Sequence, residues 1–187
     1  MLMSFKKTKK PFKQRIIILE GVDMSGKTEI SHELSKRLDI PRFKASNEHD
    51  VFLNRSENHF IKHLQYADPR VVDLLSQTKQ SLIMDRAYPS EWVYSKVLGR
   101  ETDDRMLEKI DQSFANLGAW IIICHRSSYA SIVDDLDSSI DASVLDRLDN
   151  EYRRFLKFTK CKTMLLNVDD ENLQREINDI MFVIGDE

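Results

Sequence analysis

IIILEGVDMSGKTEISHEL, residues 16–34, runs from four apolar residues into a glycine-containing turn and then into a segment where Ile30 and Leu34 recur at helical spacing. A continuous apolar run suits a strand buried on both faces, and the four-residue step suits a helix with one buried stripe. The stretch therefore reads as strand, tight turn, helix. Two glycines, a lysine and a threonine sit at the mouth of the strand, with an aspartate, Asp23, among them.

Working outward, three more runs read as buried strands: Leu82–Met84, Trp120–Cys124 and Thr163–Val168, with a weaker fifth at Arg42–Ala45. Amphipathic stripes lie between them. Met106, Leu107, Ile110, Phe114 and Leu117 form one, Val144, Leu145, Leu148, Tyr152, Phe155 and Leu156 another, and Leu173, Ile177, Ile180, Met181 and Ile184 a third. Strands alternating with helices predict a doubly wound α/β fold, with helices on both faces of a parallel sheet of about five strands. Ligands in such sheets bind beyond the carboxyl ends of the strands, where the quoted turn lies.

Composition fits one globular domain. The chain has 187 residues, 41% hydrophobic and 32% charged, and no apolar run approaches a membrane span. The lysine-rich start lacks an apolar segment behind it, so neither a signal peptide nor a membrane anchor is expected. Cys124 and Cys161 have no metal-type spacing and suit reduced, buried thiols in a cytoplasmic protein. His59 and His63, one helical turn apart, read as a polar helix face. The net charge of −3 is uneven: residues 1–15 hold six of the 28 basic residues and no acid, leaving 22 against 31 acidic ones. That basic arm reads as a flexible, solvated leader ahead of a single domain at 16–187, or as a contact for DNA.

Gly21-Val22-Asp23-Met24-Ser25-Gly26-Lys27-Thr28 fits G-x-x-x-x-G-K-[ST], the P-loop. The glycines let successive N–H groups turn inward as an anion nest at the start of the next helix. Lys27 then reaches the β/γ-phosphates of ATP, and the Thr28 hydroxyl is placed for Mg²⁺. A GTPase would add N-K-x-D, which does not occur. Further on, Asp85-Arg86 closes a strand. An acid there can hold Mg²⁺ and an arginine can clamp a second phosphate; a surface ion pair is the plain alternative.

LEGVDMSGKT followed by MDRAYPSEWVYS resembles the thymidylate kinase branch of the P-loop nucleoside monophosphate kinases, whose pattern is E-G-x-D-x-x-G-K-[ST] and then D-R-x-x-x-S-x-x-x-Y. Here Tyr94 stands four residues after Ser90. The resemblance implies a three-layer P-loop fold and phosphoryl transfer from ATP with Mg²⁺ to a deoxynucleotide. It implies ATP contacts from Gly21, Ser25, Gly26, Lys27, Thr28 and Arg126, and metal contacts from Thr28 and Asp85. The acceptor falls to Asp23, Arg42, Arg86 and Tyr94, with Lys27, Asp23, Arg86 and Asp85 central to catalysis. It turns Asp23 away from the ATP phosphates, toward the acceptor and Arg86.

The pattern departs from that branch in the expected lid, residues 128–143, which offers Asp134, Asp135, Asp137 and Asp141 where arginines are usual. In the second strand region Arg42 or Lys44 could clamp a phosphate, while Glu48 or Asp50 could act as a base on a sugar hydroxyl. A nucleoside, or a hydroxymethylated base in DNA, thus stands beside a monophosphate as acceptor. Deoxynucleoside kinases typically read Glu-Arg-Ser where this chain has Asp85-Arg86-Ala87, which favours the monophosphate. A catalytically silent nucleotide-binding module is the alternative from another class. The oligomeric state, a homodimer included, stays open.

Overall fold

A computed structural model describes residues 13–44, 58–129 and 141–185, with side chains from residue 68 onward in the second stretch. The chain runs β1 (Ile16–Glu20), α1 (Lys27–Leu38), β2 (Arg42–Lys44), α2 (Asn58–Thr78), β3 (Leu82–Asp85), α3 (Tyr88–Leu98), α4 (Asp104–Asn116), β4 (Trp120–His125), α5 (Ala142–Phe158), β5 (Lys162–Asn167) and α6 (Leu173–Gly185). The five strands form one parallel sheet in the order β2-β3-β1-β4-β5. The expected strands and layers are present, with β5 ending one residue earlier than its apolar pattern suggests.

Alternation along β1 builds two cores. Ile16 and Ile18 face one side with Met84, Ile121 and Ile123, covered by Leu75 of α2, Val93 of α3, Phe114 of α4 and Phe155 of α5. Ile17 and Leu19 face the other side with Ile83, Ile122 and Cys124, under Ile30 and Leu34 of α1 and Ile177 and Ile180 of α6. Each of the four β1 side chains is at most 1% exposed. Complete burial of such a side chain is worth about 1.5–3 kcal/mol, so β1 is a rigid base for the turn that follows it.

Helix starts differ in kind. Asp103 and Asp141 cap α4 and α5, accepting from Met106 N and Val144 N. Helix α1 starts at Gly26, φ 72°, with no side-chain cap. Because α5 begins at Ala142, the last two residues of the expected 128–143 lid are helical; 130–140, with Asp134, Asp135 and Asp137, lie outside the described residues. So do residues 1–12, Glu48 and Asp50, and the side chains of His59 and His63. The described end of the basic arm is tied down: Gln14 Nε2 donates to the carbonyls of Leu75 and Gln80, and Arg15 N to Ser81 Oγ.

Candidate active site

The central strands β1, β3 and β4 end together, and the turn after β1 fills the space beyond them. Gly21 has φ 137°, and a Cβ there would overlap the Cys124 carbonyl on β4, so this position requires glycine. Ser25 Oγ closes the turn on the Val22 carbonyl at 2.8 Å. The Lys27 ammonium donates to the same carbonyl and to Ser25 Oγ at 3.1 Å, with the side chain buried. Burial, with the Arg86 charge nearby, lowers its pKa to about 8. Uncapped N–H groups and a buried amine at one helix end are the chemistry of an anion site.

Thr28 Oγ1 donates to Asp85 Oδ2 at 2.9 Å, joining the first turn of α1 to the end of β3. Lys44 Nζ lies 3.2 Å from the same hydroxyl and 3.8 Å from the same carboxylate oxygen. Two hard oxygen donors that already attract an ammonium fit Mg²⁺, which binds through few protein ligands and keeps several waters. Arg42 is placed elsewhere, because its Nη1 donates to Thr28 O at 3.2 Å and Ser31 Oγ at 3.0 Å, on the flank of α1. In the described residues neither Arg42 nor Lys44 joins the Asp23–Arg86 group.

That group forms the opposite wall. Arg86 has φ 73°, an uncommon conformation for a residue with a Cβ. Its backbone N donates to Leu19 O at 3.0 Å. Its Nη2 donates to Asp23 Oδ1, and its Nη1 to Ser90 Oγ at 3.0 Å and Tyr152 OH at 3.2 Å. Tyr94 OH donates to Asp23 Oδ2 at 3.1 Å, and the Tyr94 ring lies 5.5 Å from the guanidinium. Burial pushes the Asp23 carboxyl up, but Arg86 and Lys27 together outweigh it and hold the group below its ordinary value. Burial raises the Tyr94 phenol to about 12.

Glu20, the last residue of β1, underlies this wall and is fully buried. It accepts from Ala87 N and Ser90 Oγ, each at 2.7 Å, and from Tyr152 OH at 3.2 Å. Burial raises its pKa against the pull of Arg86. Ser90 and Tyr152 thus bridge Glu20 to Arg86. The sequence holds the Glu20 signal inside LEGVD, but Tyr152 stands 66 positions from Arg86 and reads only as one more core residue. Tyr88 and Trp92, on the same helix as Ser90, are core.

Arg126 follows β4 and takes a third position. Its Nη2 donates to Glu171 at 2.9 Å, and its buried Nε has no partner among the described residues. A guanidinium at a sheet's carboxyl edge, only partly bonded, suits the base or sugar end of a nucleotide held by the turn.

With this geometry in view, three likenesses bear on it. The deoxyguanosine kinase of Dictyostelium discoideum is 26% identical over 208 residues, spanning 92% of this chain and 70% of the relative. The Bacillus subtilis YorR protein, solved in complex with phosphorylated GDP, has a TM-score of 0.66 at 22% identity, covering 91% of this chain and 95% of that one. The thymidylate kinase of Ehrlichia chaffeensis has a TM-score of 0.64 at 15% identity, covering 91% and 98%. No family model matches the chain. The chain shares the fold of these two solved structures, and the turn after β1 carries the P-loop pattern. In sequence the chain is similar to a deoxynucleoside kinase.

Proposed function

We propose that the chain transfers the γ-phosphoryl group of ATP to a deoxynucleoside monophosphate. The observation that carries this is Arg86, held by Asp23, Ser90 and Tyr152 across from the uncapped start of α1. A monophosphate acceptor attacks through an oxygen that is already anionic, so the site needs cations for it and no general base. Backbone N–H groups from Gly21 to Thr28 and the Lys27 ammonium bind and orient the ATP phosphates. Lys27 stabilises charge gathering on the β–γ bridge as that bond breaks and ADP leaves. Thr28 and Asp85 are the residues to hold Mg²⁺, which when bound neutralises phosphate charge. Arg126 holds the nucleoside end of ATP. Asp23 and Tyr94 fix the guanidinium of Arg86 and face the acceptor sugar. The free, buried Cys124 and Cys161 support a cytoplasmic setting.

A nucleoside acceptor is the second reading, favoured by the likeness to a deoxyguanosine kinase. Phosphoryl transfer from radiolabelled ATP to deoxynucleoside monophosphates, deoxynucleosides and DNA carrying hydroxymethylated bases separates the readings. Labelled diphosphate product supports the proposal. Label in a monophosphate or in DNA alone selects another acceptor, and no transfer to any substrate leaves a silent nucleotide-binding module. Arg86→Ala should raise the acceptor KM and lower kcat while MgATP affinity stays within about threefold, since a bidentate arginine contact fixes orientation as well as affinity.

A further inference from the structure

Helix α5 carries two stripes. Leu145, Leu148, Tyr152 and Phe155 face the core. Arg147, Asn150, Arg154 and Lys157 recur at the same three- and four-residue steps on the solvent side. With Lys96 and Val97 from the end of α3, and with Glu151 and Arg153, they line an open cleft of about 530 Å³. Five cations and one carboxylate give the lining a net charge of +4, on a body that is acidic from residue 16 onward.

Part of this charge is matched internally. Arg154 pairs with Glu151 at 3.0 Å, and Arg153 with the buried Asp149 at 3.3 Å. Arg147 Nη2 donates to the Val97 carbonyl at 2.9 Å, and Lys96 Nζ lies 3.5 Å from the centre of the Trp92 ring. Among the described residues no carboxylate forms an ion pair with Lys96, Arg147 or Lys157. Like charges gathered this closely repel one another, and a polyanion relieves that repulsion.

We propose that this cleft binds the phosphate backbone of double-stranded DNA. From Arg147 to Lys157 the stripe is about 15 Å long at 1.5 Å per residue. A duplex strand places one phosphate per 3.4 Å of axis, so about four phosphates lie along it. The triphosphate chain of a nucleotide is shorter than the stripe, so its charges cannot engage all of it. Single strands are usually held by stacking bases on exposed aromatics; among the described residues lining the cleft none is aromatic, and Trp92, under Lys96, is buried. The contact is therefore with backbone and indifferent to sequence. Its lining comes from α3 and α5 and not from residues 13–15, the described end of the basic arm. It also places DNA on the helix whose inner face delivers Tyr152 to Arg86.

The test is fluorescence anisotropy of the full chain with a labelled duplex of roughly 20 base pairs, from about 50 mM salt upward. Arg154→Gln/Lys157→Gln alters two exposed side chains outside the catalytic group, and Lys157→Glu alone serves as a second variant. The wild type should bind with a steep salt dependence. The double variant should bind at least about tenfold more weakly at low salt, with a log–log slope shallower by about 1.8, from 0.9 per lost phosphate contact. Any phosphoryl transfer to free nucleotides should be unchanged. Absence of wild-type binding at about 50 mM salt overturns the proposal. So does equal binding by wild type and both variants, which would assign DNA to the arm. Full displacement of the duplex by equimolar tripolyphosphate also overturns it, by marking a small-anion site.

Discussion

Helices α1 and α5 begin in opposite ways. At α5, Asp141 Oδ1 accepts from Val144 N at 3.0 Å and from Ser143 Oγ at 2.7 Å. These bonds hold the Asp141 carboxyl below its ordinary value. At α1, Gly26 offers no side chain, and the nearest carboxylate in the turn, Asp23, is bonded to Arg86 and Tyr94 instead. A helix start carries about half a positive charge. Helix α5 neutralises its own start, which makes that end a structural joint. Helix α1 keeps its positive end exposed to a ligand and adds the buried Lys27. The same element thus serves stability in one place and binding in the other, and the difference lies in where one aspartate points.

The largest expected effect comes from removing the charge that reinforces α1. Lys27→Ala should slow phosphoryl transfer at least ~10²-fold, the scale for deleting one preorganised electrostatic donor, with the fold intact by circular dichroism. Near-normal turnover would break the comparison. A milder change makes α1 resemble α5. Gly26→Asp places an anion at the helix start, in a left-handed conformation that Asp tolerates better than most residues. A Cβ there meets only Ile30 Cδ1, at 4.0 Å. MgATP affinity should fall at least ~10-fold by calorimetry, chiefly through charge repulsion.

The smallest effect lies at α5. Asp141→Ala should lower the melting temperature by a few degrees and leave turnover within about twofold. Its pH dependence follows from the sign of the shift. The folded carboxyl lies below its ordinary value of 3.8, so its contribution is complete above that value and is lost as pH falls through the folded one. Melting curves of the two proteins should therefore converge only in acid.

These two helix starts were unequally legible. The P-loop can be read because its nest, amine and hydroxyl come from eight consecutive residues, and the buried strand and helical stripe around them set the context. Asp141 is also local, an acid before an apolar stripe. The Arg86 wall is different. Glu20 and Ser90 stand in the two quoted motifs, but Tyr152 comes from α5, and a contact made by tertiary packing leaves no mark in local spacing. Arg42 shows the same limit from the other side. Its charge and strand position suit a phosphate clamp, but the short β2 turns its guanidinium onto the flank of α1.

The central claim is that the start of α1 and Lys27 together receive an anionic phosphate chain. Calorimetric titration with MgATP in two buffers of different ionisation enthalpy tests it most directly. With the Lys27 pKa near 8 in the free protein, about half of the amine is unprotonated at pH 8, and an arriving triphosphate raises its pKa. Binding should take up about half a proton per site at pH 8 and much less at pH 7. Binding of MgATP with no proton uptake at pH 8, or with proton release, would contradict the account.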